Sequence, residues 1–311
     1  MNAVRQPGAP PILEIERLHL DITADRRRVP ILRGVDLAVA PGEVHGLVGE
    51  SGAGKTMVGR VVLGIAPRHA TVSAGSVRFD GEDITHLSEG KRRRLMGRGL
   101  ALIPQDPMTA LNPAFRIGEQ ITDVLRLHMG FDRATARARA LALLNDVHIR
   151  APERVLRQYP HELSGGMRQR VLIAIAFSCQ PKLIIADEPT TALDVTVQRQ
   201  VLGLIKALQA DRGTALLFIT HDLGVVAKLC HRITVLHGGR VLEQGDVGPV
   251  FQAPKHAYTS ALMKATPRYD RPGDALEPVP AALTETLNAE ALVYDEARAS
   301  GAEAHERAGH A

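Results

Sequence analysis

One segment narrows what this chain can fold into more than any other. The apolar run Val44 to Val48 leads into Gly49-Glu50-Ser51-Gly52-Ala53-Gly54-Lys55-Thr56, and Met57 to Gly64 follows with helical spacing. This is a strand-loop-helix unit whose loop fits G-x-x-x-x-G-K-[ST]. Its glycines let successive backbone N–H groups turn inward around phosphate oxygens at a helix N-terminus. In that arrangement Lys55 neutralises the β- and γ-phosphates of a nucleoside triphosphate, and Thr56 coordinates Mg²⁺.

A second run, Leu183-Ile184-Ile185-Ala186-Asp187-Glu188-Pro189, reads as a buried strand that ends in two carboxylates. Ligands of open α/β sheets bind at the carboxyl ends of the strands, so the pair is placed for chemistry. Asp187 fits the role of holding Mg²⁺. Glu188 is then placed to orient or deprotonate the water that attacks the γ-phosphate, because in-line phosphoryl transfer needs a positioned nucleophile more than covalent chemistry.

The rest of the chain supports an α/β reading. Ile12 to Leu20, Gly34 to Val39 and Ser76 to Phe79 have strand character and suggest an antiparallel β lobe. Ala215 to Ile219 and Ile233 to Leu236 are further apolar strands, and Val197 to Ala210 is helical. Aromatics make up only 3% of the residues, so a core of Leu, Ile, Val and Ala is expected, which favours a parallel-sheet interior. Between Gln105 and His161 the pattern turns helical, with apolar stripes at Ile117 to Leu127 and Ala134 to Leu144 and an Arg-rich face on the second. Beyond about Arg268, Pro, Ala and Glu dominate and there is little to bury; Leu283, Leu287 and Tyr294 fall at the spacing of one weak amphipathic helix.

No uninterrupted apolar stretch reaches the 18 or so residues of a membrane span, and the N-terminus has no apolar core of a secretory signal. The cytoplasm is the expected compartment. Cys179 and Cys230 lack the spacing of a metal site or a disulfide framework. Arg26-Arg27-Arg28 and Lys91-Arg92-Arg93-Arg94 lack interleaved aromatics, so they read as solvated faces and no nucleic-acid partner is expected.

Leu163-Ser164-Gly165-Gly166-Met167-Arg168-Gln169-Arg170 resembles the signature sequence of the ATP-binding-cassette family. Ser164, Gly165 and Gly166 open a helix at Met167, so their N–H groups and the helix dipole form a second phosphate-binding terminus. Further matches in family order are Gln105, which looks like the glutamine loop, Ala192-Leu193-Asp194, which looks like the dimer-contact loop, and His221, which corresponds to the switch histidine. The resemblance runs from Gly34 to about Pro267. It implies a phosphate-loop ATPase with a mostly parallel sheet core, an antiparallel β lobe and a helical insert at about 105–165, set between a flexible 1–11 and a tail at 268–311. It implies ATP as the nucleotide and Mg²⁺ held by Thr56, Gln105 and Asp187. Catalysis falls to Glu188, His221 and Gln105. The nucleotide falls to Gly49, Glu50, Ser51, Gly52, Ala53, Gly54, Lys55 and Thr56, with Ser164, Gly165, Gly166 and Asp194 acting across a dimer of cassettes.

Three segments resemble the oligopeptide/dipeptide permease ATPases, whose relatives also import nickel and opines: Asp106-Pro107-Met108-Thr109-Ala110-Leu111-Asn112-Pro113, Thr190 to Gln198, and Phe251 to Thr259. That branch implies two membrane-spanning permease subunits, a second homologous ATPase or a second copy of this chain, and an extracytoplasmic binding protein. The chain would then lie peripherally on the cytoplasmic face of the inner membrane. Many relatives carry an iron–sulfur centre on a tail cysteine cluster; this tail has no cysteine, so none is expected. Alternatives are an ATPase of a soluble assembly such as a carbon–phosphorus lyase, or one of nucleic-acid processing.

One departure from the family pattern yields a prediction. The family places an aromatic ring before the phosphate loop to stack on adenine, whereas no aromatic residue occurs here before Phe79 and Ile22 falls near that position. Apolar contact alone discriminates bases less well than stacking. The preference for ATP over GTP is therefore expected to be smaller than in members that have the ring, and competition binding of the two nucleotides measures it; a strong, ATP-only profile contradicts it.

Overall fold

The computed structural model describes residues 10–25, 27–191, 193–266 and 277–308, with side chains described as far as residue 300. The expected flexible start, most of the 268–280 segment and Ala192 of the dimer-contact loop lie outside the described residues. In chain order the elements are β1 (Leu13–Ala24), β2 (Arg27–Val39), β3 (Val44–Val48), α1 (Lys55–Leu63), β4 (Ala70–Phe79), β5 (Glu82–Asp83), α2 (Glu89–Leu95), β6 (Leu100–Ile103), α3 (Pro107–Ala110), α4 (Ile117–Met129), α5 (Arg133–Asp146), α6 (Pro152–Val155), α7 (Gly165–Phe177), β7 (Leu183–Asp187), α8 (Val195–Arg212), β8 (Ala215–Thr220), α9 (Leu223–Leu229), β9 (Arg232–His237), β10 (Arg240–Asp246), α10 (Val247–Gln252), α11 (Ala257–Lys264) and α12 (Ala281–Ala308). They fall into two compact units, one of 1–13, 38–45 and 78–219, the other of 14–37, 46–77 and 220–311.

The first unit is built on three parallel strands. β6 pairs with β7 from Leu100↔Leu183 to Ile103↔Ala186, and β7 pairs with β8 from Leu183↔Ala215 to Asp187↔Ile219. Leu183 to Ala186 and all of β8 are buried, as continuous apolar runs are in a sheet covered on both faces. α7 packs on β6 and against α3, α4, α5 and α8, and it buries residues around most of its circumference, from Arg168 and Gln169 to Phe177. Such a helix sits inside a unit, not on its surface. The insert follows its stripes: α4 buries Ile117, Ile121 and Leu125, α5 buries Ala136, Ala140, Leu143 and Leu144, and the two helices pack together while Arg133 and Arg137 face solvent.

The second unit joins β1, β2 and most of β4 in one sheet. β1 and β2 are neighbours in this sheet and only two residues separate them in sequence, too few for the crossover a parallel pair needs, so they pair antiparallel. β9 and β10 form an antiparallel hairpin with an irregularity between Val241 and Glu243. Behind β9 lies an apolar cluster of Val48, Leu223, Val226, Ile233, Val235, Val247, Val250, Tyr258 and Leu262, to which Leu287 of α12 adds. β10 and β6 were not legible as strands: β10 is half exposed and reads RVLEQGD, and β6 is only four residues long.

The tail differs from its composition. Residues 281–308 form one long helix, which buries Leu287 and Ala291 one turn apart. Its hold is largely polar. Arg33 donates from Nε and Nη2 to the two oxygens of Asp295, each at 2.8 Å, in a fork-to-fork pair with both side chains mostly buried. His19 Nε2 and the Tyr294 hydroxyl lie 2.8 Å apart, and Arg298 donates to Ser73 Oγ at 2.7 Å. These partners lie more than 200 residues away in sequence, so no local periodicity announces them.

Candidate active site

Within the second unit the phosphate loop is set by close backbone packing. A Cβ on Gly49 would stand 2.1 Å from the Leu236 carbonyl oxygen, far inside contact distance, so only glycine lets the loop cross β9 there. Ala53 O accepts from Gly239 N at 3.0 Å, which ties the middle of the loop to the turn after β9. Gly52 has φ 82° and open space where a side chain would be, so its backbone is exposed to an incoming ligand. Lys55 is 5% exposed, and its Nζ donates to Gly49 O and Glu50 O at 2.8 Å each. The ammonium is thus held over the loop at the N-terminus of the nine-residue α1, with the Thr56 hydroxyl in its first turn. A buried cation, a helix N-terminus and glycine amides together favour a polyphosphate anion.

His221 is exposed on the turn between β8 and α9. Thr220 Oγ1 accepts from Asp222 N at 3.0 Å and Asp222 Oδ1 from Val225 N at 3.1 Å, so both neighbours of the histidine are tied to that turn.

In the first unit the sheet register explains the second cluster. Ile103 is paired with Ala186, so Gln105 and Glu188, two residues beyond each, leave the ends of β6 and β7 side by side. Gln105 Nε2 donates to Glu188 Oε2 at 3.0 Å, and Thr191 Oγ1 donates to the same oxygen at 2.9 Å. The Glu188 amide donates to Ile219 O at 2.9 Å, which carries β7's pairing with β8 one residue past the strand. Glu188 has φ 43°, a left-handed conformation that L-residues with long side chains adopt at a cost. Asp187, half-buried, is the last residue of β7.

The signature segment caps α7. Ser164 Oγ accepts from Met167 N at 3.3 Å, and Ser164 is exposed. A Cβ on Gly165 would meet nothing within 4 Å, whereas one on Gly166 would stand 2.9 Å from a Val197 methyl, so one glycine leaves the terminus open and the other lets α8 approach. Asp194 caps α8, its Oδ1 accepting from Thr196 N and Val197 N at 3.0 Å each.

The structure thus brings together Gln105 and Glu188, and it seats Lys55 on the loop that contains Gly49 to Thr56. Three residues that support these clusters had no role in the sequence reading: Thr191 on Glu188, Tyr258, whose hydroxyl donates to Glu50, and His237, the last residue of β9, edge-on to Tyr258. Thr191 and Tyr258 lie in segments noted only as branch markers.

Comparison with known proteins follows the same lines. The family model described as ABC transporter matches residues 32–191. Over 269 residues the chain is 43% identical to the dipeptide transport ATP-binding protein DppD of Escherichia coli (strain K12), covering 86% of this chain and 82% of that one. Over 271 residues it is 46% identical to the probable D,D-dipeptide transport ATP-binding protein DdpD of the same organism, covering 87% and 83%. Among solved structures, the dimeric post-hydrolysis state of the ATP-binding cassette MJ0796 bound to ADP and Pi matches with a TM-score of 0.68 at 25% identity, over 76% of this chain and 98% of that one.

The packing at Gly49 gives a sharp expectation. Gly49→Ala drives a methyl into the Leu236 carbonyl and should abolish measurable MgATP binding. Ligand-induced change in melting temperature reports it, and a wild-type shift would show that the loop can move off β9.

Proposed function

The chain belongs to the ABC transporter family, and from that premise we propose that it is the ATP-hydrolysing subunit that energises a membrane importer of dipeptides, oligopeptides or related small solutes. The observation that carries the catalytic part is the Glu188 carboxylate, presented at the end of a buried strand and held on one oxygen by Gln105 and Thr191. The peptide part is supported by relatives at 43% and 46% identity whose names specify dipeptide or D,D-dipeptide transport.

In this reading the loop from Gly49 to Thr56 takes the triphosphate of ATP. Its amides meet phosphate charge at the exposed turn, and the Lys55 ammonium does so from a buried side chain, where such contacts are stronger than in water. Thr56, Asp187 and Gln105 carry the hard oxygen donors that suit Mg²⁺ and are the residues that would hold it; the ion would supply neutralisation of phosphate charge. Glu188 orients the attacking water and takes its proton, while His221 and Gln105 sense the γ-phosphate. Ser164, Gly165 and Gly166 at the N-terminus of α7, and Asp194 at the N-terminus of α8, serve the nucleotide bound by a second cassette.

Among the described residues no helix is long and apolar enough to cross a membrane. In the proposed assembly two membrane-spanning permease subunits form the path, a second ATPase completes the pair of cassettes, an extracytoplasmic binding protein delivers the solute, and this chain sits on the cytoplasmic face. Closure of the cassettes reaches the permeases through the helical insert, and hydrolysis resets it.

Affinity purification of the tagged chain from detergent-solubilised membranes tests the assembly: two integral membrane proteins and a second cassette are expected, and a purely soluble complex would refute the importer. Within that complex Glu188→Gln keeps an oxygen that can accept from Gln105 and Thr191 but removes the basic carboxylate. It should retain ATP binding and lose at least about 100-fold in turnover, within the range general-base catalysis supplies. Lys55→Ala should instead weaken binding itself. Equal turnover for Glu188→Gln and wild type would remove Glu188 as the base.

A further inference from the structure

Tyr258 is fully buried, with its ring inside the apolar cluster behind β9 and its hydroxyl emerging at the phosphate loop. That hydroxyl donates to Glu50 Oε2 at 2.9 Å and faces the Glu50 amide at 3.4 Å. The Glu50 carbonyl accepts from Lys55 Nζ. Glu50 is thus held by its carboxylate, its amide and its carbonyl, and the third of these contacts is the ammonium that meets phosphate. His237 lies edge-on to Tyr258, ring centroids 4.7 Å apart. Its Nε2 donates to Asn288 Oδ1 of α12 at 3.3 Å. Its buried Nδ1 has no hydrogen-bond partner and stands 3.8 Å from the same Glu50 oxygen that Tyr258 engages. Burial and the contact with Glu50 push the phenol well above its ordinary acidity range, so it remains a donor.

We infer that Tyr258 is a positioning residue for nucleotide binding, fixing Glu50 and through it Lys55, and that His237 and Asn288 extend this support to the C-terminal helix. The inference rests on the phosphate loop being the nucleotide site. Tyr258 acts through Glu50 and is given no contact with the nucleotide itself. A phosphate loop pays an entropic cost when it orders around its ligand, and a loop already held in place binds more tightly.

The test is calorimetric titration of the full-length chain with MgATP, for wild type, Tyr258→Phe, Glu50→Ala and the double variant. Phenylalanine keeps the ring in the cluster and removes only the hydroxyl. Each single change is expected to raise the Kd about tenfold, and the double variant little further, because both remove the same hydroxyl–carboxylate hydrogen bond, the shorter of the two contacts. Asn288→Ala should raise it about twofold. A Tyr258→Phe Kd within twofold of wild type, even with a lowered melting temperature, would mean that the ring serves packing alone and would overturn the inference; so would single effects that multiply in the double variant. Should Tyr258→Phe fail to fold, Glu50→Ala and Asn288→Ala carry the same comparison, and unchanged affinity in both overturns it.

Discussion

The close approach of three backbones underlies the nucleotide loop. Gly49 lies against the Leu236 carbonyl of β9, and Gly239, just after that strand, lies so near β2 that a Cβ would fall 2.0 Å from Ile31 O. Gly239 also donates to Ala53 O, and Arg33 N donates to Gly239 O at 2.8 Å. Loop, hairpin turn and β2 are therefore stitched through main-chain atoms at two glycines. Main-chain contacts do not change rotamer, so the loop inherits the rigidity of the strands beneath it, and a flexible Gly-rich sequence becomes a fixed cradle.

Register plays the corresponding part in the other unit. The parallel pairing of β6 with β7 decides which side chain leaves the sheet opposite Glu188, and a one-residue slip would exchange Gln105 for a neighbour. The buried apolar residues of β7 specify that pairing, so hydrophobic packing places a polar contact at the sheet edge.

Much of this was readable in the residues, and the part that was not shares one cause. β3, the core of β7, β8 and the helices of the insert announce themselves through runs and stripes, because burial imposes its period on the chain locally. Gln105, Glu188 and Lys55 could be named from motif position. The partners of those residues could not: Thr191 for Glu188, and Tyr258 for Glu50 from 208 positions away, are set by topology. The C-terminal helix shows the same limit. Its two buried apolar residues give a weak stripe, whereas the pair between Arg33 and Asp295 connects segments 262 residues apart.

Glu188 carries a different kind of information in its backbone. Its φ of 43° puts a long-chain residue where glycine or asparagine is at ease, and Pro189 follows it, which further disfavours the helical half of conformational space. Relaxing that strain by substitution would favour the folded chain while removing its carboxylate. With Glu188 in its proposed role as the base, selection for robustness and selection for turnover pull this one position in opposite directions, and efforts to make the protein more heat-resistant that score sequence by comfort of fold will tend to erase that carboxylate first.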